Sequence, residues 1–150
     1  MAIPFFDMHC HINVFNNLSA KKLLEKENYF FCSCAINNDE LQTSINLKKI
    51  YPQKIYISAA LHPWFVNSQQ NFIDKDNIKN FNISAIGETG LDYDRKLISK
   101  QLLKSSKQTI IDVKTFDYLK TKQKEIFKNY IFLANQNNLP IILHCRKAYY

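Results

Sequence analysis

Apolar residues gather in five short runs, and the segments between them are polar or amphipathic. The runs cover residues 3–8, 29–36 (Tyr-Phe-Phe-Cys-Ser-Cys-Ala-Ile), 55–61, 83–87 and 141–144 (Ile-Ile-Leu-His). None alternates cleanly between apolar and polar, which predicts strands buried on both faces, as in parallel sheets. Helical periods lie between them. Residues 18–27 offer Ser19 as N-cap, with Leu23 and Leu24 inward. Asp39 is the predicted cap of the next helix, where Leu41, Ile45, Leu47 and Ile50 recur at helical spacing. Residues 67–81 are a weak helix carrying Phe72, Ile73, Ile78 and Phe81, and Gly87 is read as the end of the fourth strand. The strongest helix spans 118–137, with Leu119, Ile126, Tyr130, Leu133 and Ala134 on one stripe, and Asn138-Leu139-Pro140 breaks it. Residues 96–117 show no clear period beyond Thr109-Ile110-Ile111. Strands alternating with helices predict βαβ units and a parallel α/β sheet with consistent handedness.

That pattern gives the histidines a shared address. All four, His9, His11, His62 and His144, lie at or just past apolar runs, and Glu88 follows the fourth run. In parallel α/β folds the functional face lies at the carboxyl ends of the strands. A strand sends residues two apart to one face, so Asp7, His9 and His11 are expected to point together. Two such imidazoles can ligate one metal ion, with Asp7 behind them as acceptor for a ring N–H.

The remaining candidates flank these groups. Arg146 is either a two-point holder of phosphate or a surface arginine. Trp64 and Tyr93 either stack on a base or cover the rim of the sheet. Asp92 either orients a ligand or caps a turn.

Composition adds limits. The formal charge is +7, with 20 basic and 13 acidic residues, which suits a polyanionic partner but equally a Lys-rich solvated surface. Cys10, Cys32, Cys34 and Cys145 lie in apolar runs without paired C-x-x-C spacing, and read as small buried hydrophobes in a reducing, cytoplasmic compartment. No apolar run approaches the length of a membrane span, and no charged-then-apolar leader opens the chain.

Four segments together resemble the TatD family of metal-dependent deoxyribonucleases, a branch of the amidohydrolase-like (β/α)-barrel hydrolases. They are Asp7-Met8-His9-Cys10-His11, Leu61-His62-Pro63-Trp64, Ala85-Ile86-Gly87-Glu88-Thr89-Gly90-Leu91-Asp92-Tyr93 and Leu139-Pro140-Ile141-Ile142-Leu143-His144-Cys145-Arg146. The resemblance implies a TIM-barrel type parallel sheet and two divalent cations (Mg, Mn or Zn). It assigns His9 and His11 to the first ion, Glu88 to a bridge between both, and His144 to the second. His62 lines the substrate site, so Glu88 and His62 are the catalytic candidates. The implied substrate is DNA, as single strands or 3′ ends, cleaved at phosphodiester bonds. A hydrolase of amides or lactones from the same superfamily is the alternative.

Two departures qualify the resemblance. Residues 1–150 offer about five of the eight strands of such a barrel. The later strands would supply a further metal-binding His and an Asp, and no His or acidic residue follows His144. The chain is therefore expected to be the N-terminal portion of a barrel, inactive alone or completed by a second chain. The stretch 96–122 is longer than the family's usual connection, and is read as an inserted loop or extra helix.

Overall fold

The computed structural model describes residues 3–14, 17–67, 72–103 and 110–149, with the side chains of 17–20 outside the description. Five parallel strands lie side by side in chain order: β1 (Phe5–Cys10), β2 (Tyr29–Ala35), β3 (Ile55–Ala59), β4 (Ala85–Asp92) and β5 (Ile141–Arg146). The helices are α1 (Asn17–Leu24), α2 (Asn38–Ile50), α3 (Lys75–Asn80), α4 (Arg95–Leu102) and α5 (Val113–Asn137), with single 3-10 turns at Ile12–Val14 and Pro63–Phe65. The parallel order and intervening helices are those expected of a (β/α) barrel.

Alternation along the strands divides the two faces. Ile55, Ile57, Ala59 and Ile86 meet Leu24, Leu41, Tyr130 and Ala134 of the helices in one core. The opposite face, towards the barrel interior, carries Phe6, whose ring stacks on Phe30 at 6.3 Å and meets Tyr56 at 5.1 Å. Among the described residues β1 pairs only with β2, and β5 only with β4. Phe5, Met8 and Leu143 on these edge strands are more than half exposed.

Two irregularities in the ladder fix where side chains point. In β1, Asp7 pairs with Phe31 but Cys10 pairs with Ser33, so the strand holds one extra residue. Such a bulge reverses the side-chain alternation beyond it. Asp7 and Cys10 therefore line the same helix-side cleft, beside Leu23 and Phe31. His9 and His11 turn to the other face. The expected common face for Asp7, His9 and His11 is thus corrected, because the alternation rule fails across a bulge. In β4 the register shifts between Gly87 and Thr89, so Glu88 is the extra residue, following a cis Gly87–Glu88 peptide. Gly87 (φ 150°) and Gly90 (φ 146°) occupy backbone conformations that suit glycine, and a Cβ on either would collide with β5.

Several element bounds differ from the sequence reading. Gly87 does not end the fourth strand; the buried β4 continues through Asp92, because β5 runs alongside to Arg146. The cap of α2 is Asn37, whose side chain accepts the Glu40 N–H, and Asp39 lies in the first turn. Helix α1 begins at Asn17, which places Ser19 inside it rather than at its cap. Of the weak helix expected over 67–81, residues 68–71 lie outside the described residues, and α3 forms its later part, capped by Asp74, with Phe72 and Ile73 buried before it. Helix α5 starts earlier than expected, capped by Asp112, and ends at left-handed Asn138. The stretch 96–122 contains most of α4 and the first turns of α5; Thr109 lies outside the described residues.

Candidate metal centre

The strand ends bring four imidazoles around one carboxylate. Glu88, displaced by its bulge, reaches in two directions. Its Oε2 lies 3.1 Å from His9 Nε2 and 3.8 Å from His11 Nε2. Its Oε1 lies 2.6 Å from His144 Nδ1 and 4.0 Å from His62 Nε2. Two donor groups result, His9–His11–Glu88 and His62–Glu88–His144, each with its ligand atoms within 4.8 Å of one another. They share Glu88, one oxygen each.

Hydrogen bonds set the proton positions on the rings. His11 Nδ1–H donates to the Cys34 carbonyl (3.1 Å), which leaves Nε2 with a free lone pair facing Glu88. His144 Nε2–H donates to Asp92 Oδ2 (3.2 Å), which leaves Nδ1 facing Glu88. His62 is arranged the other way. Its Nδ1 accepts the Trp64 backbone N–H (3.2 Å), so in the neutral ring Nε2 carries the proton into the site. His62 Nε2 also lies 3.1 Å from His144 Nδ1. A proton on His144 Nδ1 satisfies Glu88 but opposes the His62 N–H; without it, two lone pairs meet at 2.6 Å. A cation placed there accepts both lone pairs and leaves the His62 N–H as a donor. The donor chemistry therefore fits divalent metal.

The electrostatics agree with that crowding. Burial pushes the Glu88 carboxyl upward, but the His11 and His144 rings beside it outweigh that, holding it well below the usual carboxylate range. Burial likewise lowers His144, yet its bonds to Asp92 and Glu88 raise it to about 9. In the metal-free protein a proton thus stands in for a cation. His11 is raised, chiefly by the Glu88 carboxylate beside it. His62 is lowered to about 3 by burial and by the neighbouring His144 charge, so it stays neutral.

A second layer holds these groups in place. Asp92 is fully buried; its Oδ2 accepts from His144 Nε2 (3.2 Å) and its Oδ1 accepts the Asp94 N–H (2.9 Å) in a turn. Its Oδ2 also accepts the Trp64 indole N–H (2.8 Å). Arg146 sits at the rim, 3.7 Å from Asp92 and with its guanidinium 6.0 Å from the Trp64 ring centre. Tyr93 carries Lys120 over its ring at 5.7 Å. Asp7 departs from expectation, since its carboxylate accepts the His9 backbone N–H (3.1 Å) rather than a ring N–H. Sequence reasoning missed four contributors. Gln123 links Asp92 to Pro63, the Cys34 carbonyl orients His11, and Asn13 and Glu40 surround that carbonyl and ring. Gln123 alone left a trace, as a polar residue in the otherwise apolar register of Leu119 and Ile126.

A parallel (β/α) sheet whose strand ends gather imidazoles around a shared carboxylate is the frame of a metal-dependent hydrolase. Comparison with known proteins makes this specific. The family model described as TatD related DNase matches residues 6–150, and the chain belongs to that family. It is 29% identical to an uncharacterized metal-dependent hydrolase of Methanocaldococcus jannaschii, over 96% of this chain and 51% of the relative. An uncharacterized metal-dependent hydrolase of Haemophilus influenzae is 24% identical over 97% of this chain and 54% of its own length. The TatD family hydrolase of Entamoeba histolytica shares the fold, with a TM-score of 0.63 at 19% identity, covering 99% of this chain and 52% of that structure. The chain thus spans about half the length of the curated relatives it matches. No described helix is long and apolar enough to cross a membrane.

Proposed function

We propose that this chain carries the binuclear half-site of a DNA phosphodiesterase, in which two divalent cations share Glu88. One observation carries the reading: the two oxygens of Glu88 face different imidazole groups, at 3.1 Å from His9 and 2.6 Å from His144. His9 and His11 would hold one ion and His144 the other. Bound in that way, two ions supply phosphate charge neutralisation and an activated water.

The chain's own residues do the rest. Glu88 stays ionised and available to both sides. Asp92 keeps the His144 proton on Nε2, so Nδ1 remains a ligand atom. His62, neutral and carrying its proton on Nε2, donates to a phosphate oxygen. Burial excludes bulk water from this donor, which strengthens the bond. At the rim, the Arg146 fork suits a second phosphate oxygen. The Trp64 ring beside it suits a terminal base, which favours single-stranded or 3′-terminal DNA. The exposed edges of β1 and β5 suit a second polypeptide that completes the barrel.

The test is turnover of single-stranded DNA, alongside a panel of lactones and amides, by the metal-loaded chain. DNA cleavage supports the proposal. Lactone or amide turnover without DNA cleavage assigns the chain to the other hydrolase class. Two bound ions with neither turnover marks it as an inactive portion of the barrel.

A further inference from the structure

We infer that Gln123 is a positioning residue for the His62–His144 half of the metal centre, acting separately from the His9–His11 half. The inference rests on the two-ion reading above only where it concerns the second ion.

Gln123 lies on α5 and is 1% exposed. Both ends of its amide are used. Oε1 accepts the Asp92 N–H (2.9 Å), and Nε2 donates to the Pro63 carbonyl (3.2 Å). These partners belong to different parts of the site. Pro63 stands between His62 and Trp64 in the turn after β3, and Asp92 ends β4 and holds His144.

The ladder explains why a brace is needed there. Strands β3 and β4 pair at Ser58–Ala85 and Ala59–Ile86, and no further along among the described residues. Beyond that point β4 continues for six residues, Gly87 to Asp92, paired on its other side with β5. The turn bearing His62 is therefore not tied to the end of β4 by strand pairing. The Trp64 indole bond to Asp92 makes one cross-link. Gln123 makes another, and among the described residues it alone grips both backbones. An amide suits the task, since it presents one acceptor and one donor at a fixed spacing. The His9–His11 half is anchored elsewhere, by the β1 bulge and the Cys34 carbonyl.

Gln123→Met keeps length and removes both bonds. Zinc titration by calorimetry is expected to show the first ion bound as in the unaltered chain and the second weakened about 10–100-fold, the usual effect of losing an outer hydrogen-bond partner. In the metal-free chain, long-range ¹H–¹⁵N spectra of the imidazoles are expected to show His62 and His144 shifted, with His9 and His11 unmoved. Leu119→Ala is the comparison. It removes a buried side chain one turn away on α5 without touching either bond, and is expected to lower stability while leaving ring spectra and zinc stoichiometry intact. If Gln123→Met fails to fold, Gln123→Glu, which keeps an oxygen for Asp92 but no donor for Pro63, is read by the same spectra, with His62 displaced most.

Wild-type ring spectra and zinc affinities in the Gln123 variant would overturn the inference, as would their equal disturbance in Leu119→Ala. If the unaltered chain binds a single ion, the two-ion reading fails, and the metal-free spectra still decide the role of Gln123.

Discussion

Asp92→Asn removes one charge from a fully buried carboxylate without changing its shape, so its cost can be worked from the contacts. The carboxylate accepts from Trp64 Nε1 (2.8 Å), His144 Nε2 (3.2 Å) and the Asp94 backbone (2.9 Å). Asparagine offers one oxygen. If that oxygen serves Trp64 and His144, the amide NH₂ faces the Asp94 N–H, donor against donor. If it serves Asp94, the NH₂ faces Trp64 and His144, and His144 must move its proton to Nδ1, the atom that faces Glu88. Either arrangement leaves a buried donor unpaired, costing ~1–3 kcal/mol, and weakens charge-assisted bonds by ~1 kcal/mol more. We expect the metal-free variant to lose roughly 2–4 kcal/mol by urea denaturation. The loss depends on pH with a definite sign. His144 is raised to about 9, so its contribution is fully present below its ordinary value of 6.5 and fades as pH rises through about 9. The stability gap between wild type and Asp92→Asn should therefore narrow between pH 7 and 10. A variant within ~0.5 kcal/mol of wild type at pH 7 would lie in the range of ordinary surface changes. That result, or a gap that widens in alkali, would refute the assignment of Asp92 as the partner that charges and orients His144.

Other perturbations probe different links. Glu88→Gln keeps the bulge but leaves one donor group facing an NH₂, so calorimetry should show one ion lost and the other weakened; two ions at wild-type affinity would remove the basis for a shared ligand. Because His144 must shed the proton it holds up to about 9, metal affinity should rise with pH, by about tenfold per unit from this group between pH 7 and 8.5, and flat affinity would contradict the pairing. Gly90→Ala, at φ 146° and against the His144 carbonyl, should cost roughly 2–4 kcal/mol, whereas a neutral result would mean β4 and β5 are not locked at this point. The half-exposed edge residues Met8 and Leu143 should drive concentration-dependent association in sedimentation, relieved by Met8→Lys with Leu143→Lys; a wild-type chain monomeric at every concentration would sink that expectation.

Most of the fold was legible because parallel strands buried on both faces announce themselves as unbroken apolar runs. Caps and ends were less so. Asn37 competes with Asp39 for the same helix start, and nothing local distinguishes them until the Glu40 N–H is seen to meet the Asn37 side chain. Gly87 looked like a terminator, whereas its neighbour β5 keeps β4 extended through Asp92. The convergence of His9, His11, Glu88 and His144 could be anticipated, since all four lie at strand ends of one sheet. Which face they share could not. Asp7 seemed bound to lie with His9, and it does not, because one extra residue in β1 resets the alternation.

The bulges explain why the site exists in this form. A regular β4 would hold Glu88 in register with β5. Excess length at Glu88 releases it from that pairing, and excess length in β1 turns His9 and His11 towards it. Neither irregularity has a composition of its own beyond the glycine at 87, so local propensity is blind to them. The supporting groups are harder still, because Gln123 and the Cys34 carbonyl act across distances in sequence that only the folded sheet makes short. A carboxylate with imidazoles on both sides can form from any strand-end histidines, but holding its two oxygens towards two separate groups requires both strands to break register beside it. Restoring regular pairing in either strand, by deleting one residue between Asp7 and Cys10 or removing Glu88 itself, is therefore expected to disperse the site while the helix-side core remains.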